Sequence, residues 1–234
     1  MRIGVFGGTF NPLHYGHLRA AEEVREMLSL ERVLFIPSGN PPLKTEDIAE
    51  AAQRFRMVSL AVEDNPLFDV LDIECASPGK SYTVNTVEAL RGRYADASLF
   101  FILGIDAFLD IVNWWQPERL VSLVNFAVIS RPGSTFSDLS SSPYLQADEG
   151  LLRQLDEGET ERVQVALKSG REAVLMRVTH MDISSTRIRG RVKAGRSVKY
   201  LLPEGVQSFI ISHKLYNKKA EEDMVQKGGN NLKQ

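Results

Sequence analysis

The order of apolar runs between Arg2 and Pro37 is the strongest constraint on what this chain can fold into. RIGVF is a short apolar run closed by Gly7 and Gly8, which reads as a buried strand ending in a tight turn. From about Tyr15, Leu18, Ala21, Val24, Met27 and Leu28 recur at helical spacing, with Glu22, Glu23, Arg25 and Glu26 facing outward. VLFIP follows as a second apolar run. Strand, loop, helix and strand in that order predict two parallel strands joined by a crossover helix, the building unit of an α/β sheet.

The theme continues downstream. Gln53 to Val62 has helical periodicity, Phe68 to Ala76 reads as a strand, and Tyr82 to Tyr94 as a helix. Leu99 to Leu103 is an apolar run ending at Gly104, and Phe126 to Ile129 repeats the pattern before Ser130 to Gly133 break it. Residues 134–171 change character, with serines, charges and no sheet pattern beyond a helix from Glu149 to Leu155, and read as an insertion. AVLMRV is strand-like and leads into DISSTRIRGRV, and an amphipathic helix spans Glu204 to Tyr216. The expected organisation is one domain over residues 1–216, followed by a polar, aperiodic and disordered tail over residues 217–234.

Composition narrows the partners. With 234 residues, 43% hydrophobic and 25% charged, the chain can bury a large core, and a formal net charge of -2 provides no global attraction for nucleic acid or an anionic membrane. Anion binding must then come from local clusters, and small molecules are the expected partners. Cys75 is the single cysteine, which excludes an internal disulfide and a multi-cysteine zinc site and suits a reducing, cytoplasmic compartment; its strand-like surroundings predict a buried, inert thiol. No apolar run approaches the ~20 residues a membrane span requires.

Two segments carry the chemistry. GGTFNPLHYGH, from Gly7 to His17, lies between the first strand and the first helix. Gly7 and Gly8 allow a sharp turn and leave room for a ligand against the main chain, Thr9 adds a hydroxyl, and the helix starting near Tyr15 aims free N–H groups and its positive dipole end at whatever lies before it. That is a phosphate site, and His14 and His17 at the helix start can donate hydrogen bonds to phosphate oxygens as charge builds. A structural loop with capping histidines is the ordinary alternative for each residue taken singly. The loop lacks the Gly-Lys-Ser/Thr ending of a Walker A motif and the GxGxxG of a dinucleotide fold, which disfavours a P-loop kinase and a dehydrogenase. The second segment, ISSTRIR from Ile183 to Arg189, opens a helix that Ser184 or Ser185 can cap, and its first N–H groups with Arg189 make a second anion cradle; the alternative is a capped helix with a solvated basic face.

GGTFNPLHYGH together with ISSTRIR resembles the bacterial nicotinate-nucleotide adenylyltransferases, members of the HxGH nucleotidyltransferase superfamily. PPLK (Pro41 to Lys44), the arginine and methionine of RFRM, SYT (Ser81 to Thr83), GID (Gly104 to Asp106), NWWQP and VISRPG occur in the family's order, so the resemblance covers most of Met1 to Gly133 and Val178 to Tyr216. It implies a Rossmann-like, doubly wound parallel α/β sheet of the nucleotidyltransferase type with a small helical C-terminal part. It also implies attack by the phosphate of nicotinate mononucleotide on the α-phosphorus of ATP, giving deamido-NAD and pyrophosphate.

The resemblance assigns His14, His17, Lys44 and Arg189 to the electrostatic work. ATP is expected against Gly7, Gly8, Thr9, Phe10, His17, Gly104, Asp106, Ile183, Ser184, Ser185, Thr186 and Arg189, accompanied by Mg²⁺ held mainly by phosphate and water, with no protein metal cage. Asp106 would accept hydrogen bonds from the ribose, its alternative being a helix cap. Nicotinate mononucleotide is expected against Lys44, Tyr82, Thr83, Trp114 and Arg131, with Trp114 stacking on the base and the helix start at Tyr82 and Thr83 receiving the carboxylate. Arg131 is equally readable as a loop arginine. A pantetheine-phosphate or other small-phosphate nucleotidyltransferase would share the loop and the serine motif, and SYT with Trp114 argues against it. A non-catalytic nucleotide-binding module is the alternative of another class. Oligomeric state is not legible in the sequence.

Overall fold

Strand β1 (Arg2–Gly8) runs through the middle of the molecule, buried at Ile3 and Val5 on one side and at Phe6 on the other. The computed structural model describes residues 1–41, 48–77 and 79–217. Helix α1 (Tyr15–Leu28) carries the chain to β2 (Arg32–Pro37), and α2 (Ala51–Val62) carries it to β3 (Phe68–Val70). Helix α3 (Thr83–Arg93) then crosses to β4 (Ser98–Gly104), and the short α4 (Ile105–Leu109), a 3-10 turn over Asp110–Asn113 and α5 (Pro117–Leu123) lead to β5 (Asn125–Ile129). A 3-10 turn over Phe136–Ser141, β6 (Leu145–Gln146), α6 (Glu149–Glu157) and β7 (Arg162–Leu167) precede β8 (Glu172–Met176), α7 (Ser185–Lys193) and α8 (Glu204–Ser212).

The described strands form one eight-stranded sheet in the order β3-β2-β1-β4-β5-β8-β7-β6. The six from β3 to β8 are parallel, as the strand and helix order predicts, while β7 pairs antiparallel with β8 and β6 with β7. Helices cover both faces, and their apolar stripes close two cores. One gathers Val87, Phe108, Leu120 and Leu155 from α3 to α6; the other gathers Val24, Met57, Ile188 and Ile210 from α1, α2, α7 and α8. Among the described residues no helix is long and apolar enough to cross a membrane.

Four sequence expectations need correction. Residues 134–171 do contain a sheet strand: Val163, Val165 and Leu167 alternate with Arg162, Gln164 and Ala166, and β7 uses that alternation to extend the sheet antiparallel, so the sheet is mixed and not wholly parallel. The strand expected over Phe68 to Ala76 stops at Val70, because its partner β2 ends at Pro37, which has no N–H to continue the ladder; a helical turn follows, closed by Ala76 N–H donating to Asp72 O at 2.8 Å. Cys75 therefore sits half-buried in a turn instead of a strand, and burial pushes its thiol pKa up. The last helix ends at Ser212 instead of Tyr216, with Lys214 and Tyr216 at φ 52° and 60°, a left-handed exit that turns Tyr216 back toward the sheet. Apart from Asn217, the tail lies outside the described residues, as does Lys44.

Strand order reverses between β1 and β4: from β1 the sheet is built outward through β2 to β3, and from β4 outward through β5 to β8. The loops at the C-terminal ends of β1 and β4 splay apart there, leaving the crevice in which open α/β sheets place ligands.

Candidate functional site

Gly7 and Gly8 lie inside β1 with no left-handed φ, so the sharp turn expected at them falls elsewhere. Their smallness matters for space: a Cβ on Gly7 would stand 3.2 Å from the Phe101 ring, and one on Gly8 3.1 Å from the Phe10 ring. The turn itself comes at Phe10, with φ 46°, and at the cis Asn11–Pro12 bond. Phe10 is buried, its ring edge-on to Phe6 at 5.7 Å and to His17 at 5.3 Å, so its side chain braces the loop from the core side.

His14 is the N-cap of α1, and its backbone N–H donates to Nδ1 of His17 at 3.3 Å. With Nδ1 accepting, a neutral His17 carries its proton on Nε2 and is a donor there. The two rings lie 3.8 Å apart at 31°. His14 is 6% exposed, and its Nδ1 is buried without a hydrogen-bond partner. Burial, and secondarily the positive charge of Arg131, lower its pKa from 6.5 to about 4, so the ring is neutral at neutral pH. Gly16 admits this arrangement, since a Cβ there would come within 3.1 Å of the His14 ring.

The C-terminal motif is seated directly on this loop. Ser184 caps α7, accepting from Arg187 N–H at 3.2 Å, while Ser185 Oγ donates to Pro12 O at 2.8 Å. Arg189 Nη1 donates to Asn11 O at 3.0 Å, and its Nε is buried without a partner. Tyr216, brought back by the end of α8, donates to Asn11 Oδ1 at 2.7 Å, and burial holds its phenol well above the ordinary tyrosine pKa. Glu23 of α1 secures the approach to the motif by accepting Thr179 N–H at 2.6 Å. Burial alone would raise the Glu23 pKa, but the hydrogen bonds from Thr179 and Arg19 outweigh it and hold the carboxylate ionised. Ile183 is half-buried near Gly16, and Thr186 is exposed on the first turn of α7. The N-termini of α1 and α7 thus stand side by side.

Across the crevice, Gly104 caps α4, and Asp106 lies in its first turn, 3.8 Å from Arg131 Nε. Both side chains are about half exposed, so their attraction for each other is weak and either is available to a ligand. A Cβ on Gly104 would sit 2.5 Å from Asp106 Oδ1 and 2.7 Å from Arg131 Nε. The positive charge of Arg131 contributes, after burial, to the lowered His14 pKa.

Tyr82 caps α3 and Thr83 is its first residue. Trp114 is half-buried, with its indole N–H donating to Asp110 Oδ2 at 3.0 Å and its ring edge-on to Phe101 at 6.4 Å, the same phenylalanine that abuts Gly7. Trp115 is 55% exposed and lies 5.5 Å from the Tyr82 ring. That Tyr82–Trp115 pair escaped the sequence reading, because adjacent tryptophans carry no mark of which one turns outward.

Arg54 was also missed as a site residue. It is 1% exposed and donates to three carbonyls: Thr9 at 2.9 Å, Gly39 at 2.8 Å and Ala49 at 2.9 Å. An arginine set among the buried residues of an apolar helix stripe was the available signal. Among the described residues no group of three or more His, Cys, Asp and Glu side chains is arranged to hold a metal ion.

Comparison with known proteins adds three findings. A model of the cytidylyltransferase-like family matches residues 5–191. A curated relative from Syntrophotalea carbinolica, named "Probable nicotinate-nucleotide adenylyltransferase", is 43% identical over 218 residues, covering 92% of this chain and 97% of its own; one of the same name from Geobacter sulfurreducens is 41% identical over 217 residues, covering 92% and 98%. Among solved structures, the nicotinic acid mononucleotide adenylyltransferase of Plasmodium falciparum complexed with NaAD superposes with a TM-score of 0.69 at 18% identity, covering 92% of this chain and 97% of that one, a likeness of fold.

Proposed function

The chain belongs to the cytidylyltransferase-like family and, within it, to the nicotinate-nucleotide adenylyltransferases, and from that premise we propose that its crevice transfers AMP from ATP to nicotinate mononucleotide, releasing pyrophosphate and forming deamido-NAD. The observation that carries this reading is the seating of α7 on the loop before α1, through Arg189 on Asn11 O and Ser185 on Pro12 O, at the switch point of the sheet. Two helix N-termini and the His14–His17 ring pair, with His14 neutral, then converge on one space, which suits a triphosphate.

A phosphate oxygen of the acceptor forms a bond to the α-phosphorus while the bond from that phosphorus to the bridging oxygen of pyrophosphate breaks. The nucleophile is already an anion, so no general base and no covalent enzyme intermediate are required. The residues act by holding two mutually repelling anions in line and by meeting the charge that develops on the equatorial and leaving oxygens. His17, with its proton on Nε2, is the donor to the phosphate undergoing substitution. Arg189 and the first turn of α7 lie on the pyrophosphate side, and Lys44 is assigned to the same electrostatic work by the family pattern. His14 positions the first turn of α1 and offers one neutral N–H. Asp106 faces the ribose.

On the acceptor side, the helix start at Tyr82 and Thr83 receives the nicotinate carboxylate, and Trp114 supplies the stacking surface. Arg131, 3.8 Å from Asp106 and with a charge that is felt at His14, stands between the two substrates and offsets their charge. Mg²⁺ arriving with ATP belongs to the proposal as a further screen of phosphate charge, its natural ligands being phosphate oxygens and water. The chemistry is that of a small-molecule enzyme of the cytoplasm.

The deciding measurement is pyrophosphate release from ATP with each of nicotinate mononucleotide, nicotinamide mononucleotide and phosphopantetheine. Turnover is expected with the first. Turnover with phosphopantetheine alone would replace the acceptor, and turnover with none of the three would leave a nucleotide-binding module.

A further inference from the structure

We propose that Arg54 and Ser81 are positioning residues that grip one peptide, Gly39, from its two ends and thereby hold the ATP loop and the acceptor loop in register, so that a change on the acceptor side alters affinity for ATP. The proposal rests on the assignment of those two loops made above.

Arg54 is fully committed. Its three nitrogens each donate to a main-chain carbonyl, and two of those carbonyls belong to different loops: Thr9, in the turn after β1, and Gly39, after β2. A planar guanidinium holds such acceptors at fixed mutual positions, and at 1% exposure no water competes for them.

The other end of the Gly39 peptide region is held by Ser81. Gly39 N–H donates to Ser81 Oγ at 2.9 Å, Asn40 N–H donates to the same oxygen at 3.2 Å, and Ser81 N–H returns a bond to Asn40 O at 3.0 Å. Ser81 Oγ accepts both on its two lone pairs, and the Glu74 carboxyl of the preceding turn accepts from Thr86 Oγ1 of α3 at 2.6 Å. Gly39 has no room to shift, since a Cβ there would fall 2.1 Å from Glu74 O. Ser81 immediately precedes Tyr82 and Thr83, so an unbroken series of hydrogen bonds runs from Thr9 through Arg54, Gly39 and Ser81 to the start of α3. None of these side chains has a role in the transfer itself.

The test is calorimetric titration of the full chain with α,β-methylene-ATP, which cannot be cleaved at the α-phosphorus, in wild type, Ser81→Ala, Ser81→Thr and Arg54→Lys. Ser81→Ala is expected to weaken analogue binding about fivefold or more, although residue 81 lies on the acceptor side, and Ser81→Thr, which keeps the hydroxyl, to stay within about twofold of wild type. Arg54→Lys, unable to span three carbonyls, is expected to weaken the analogue and to raise the acceptor KM in the pyrophosphate assay.

Analogue affinity unchanged in Ser81→Ala would overturn the proposal, whether or not its melting temperature falls. Should Arg54→Lys fail to fold, the Ser81 pair decides alone. The analogue is read without an acceptor, so a wild-type enzyme that binds it yet ignores nicotinate mononucleotide refutes the acceptor assignment while the positioning role is still judged on Ser81. A wild type that does not bind the analogue refutes both.

Discussion

Replacing His14 by Gln tests the electrostatics at the start of α1 through the pH dependence of folding. The folded ring has a pKa of about 4 against the ordinary 6.5, with burial as the main cause and Arg131 as the second. The unfolded chain therefore takes up a proton below about 6.5 that the folded chain refuses until about 4, and native stability falls as the pH drops through that window and is insensitive to this group above it. Integrating the difference in bound protons gives a loss of about 2 kcal/mol between pH 7.5 and pH 5, approaching about 3 kcal/mol by pH 4. Urea unfolding followed by tryptophan fluorescence at pH 7.5 and pH 5 reads this directly. Wild type should lose about 2 kcal/mol more than His14→Gln between the two conditions, a difference of about 0.5–1 M in midpoint. Parallel pH dependence in the two proteins would refute the reasoning, as would a His14 ring resonance that titrates near its ordinary value.

His17→Ala is expected to lower kcat by about 10²–10³ while KM for ATP changes little, because a donor aimed at developing charge matters most in the transition state; steady-state kinetics with an unchanged kcat would remove it from the mechanism. Trp114→Ala should raise the acceptor KM by up to about tenfold through loss of stacking, and equal rises for ATP and acceptor would show that its bond to Asp110 merely supports the fold. Gly39→Ala forces a Cβ against backbone, 2.1 Å from Glu74 O, and should cost about 3 kcal/mol of stability in a denaturation curve. Gly104→Ala meets side-chain atoms only, Asp106 Oδ1 at 2.5 Å and Cγ and Nε of Arg131 at 2.7 Å, which can give where backbone cannot, so it should destabilise less than Gly39→Ala while turnover falls; the reverse ranking of these two variants would refute the packing argument.

Much of the architecture was legible because it is written in local periodicity. The apolar stripe from Leu18 to Leu28 and the runs RIGVF, VLFIP and LFFIL specify helix and strands from spacing alone, and their alternation implies parallel pairing. The boundaries that went astray depended on partners elsewhere. Phe68 to Ala76 looked like one strand until Pro37 of its neighbour ended the ladder, and β7 needed β8 beside it to have meaning. The site shows the same division. His14, His17, Ser184 and Arg189 could be named from motif chemistry, whereas Arg54, which binds carbonyls of three separate segments, and the Tyr82–Trp115 pair could not.

Sequence by itself therefore determined the residue types of the proposed anion site and the order of elements that presents them. Tertiary structure decided which of those residues meet: Ser185 against Pro12 and Arg189 against Asn11 join positions more than 170 apart, and Arg131 comes within 3.8 Å of Asp106. The reason is physical. Helix and strand spacing and capping arise from neighbours along the chain, but hydrogen bonds between distant loops, and the burial that lowers the His14 pKa, exist only once the sheet has brought its strand ends together.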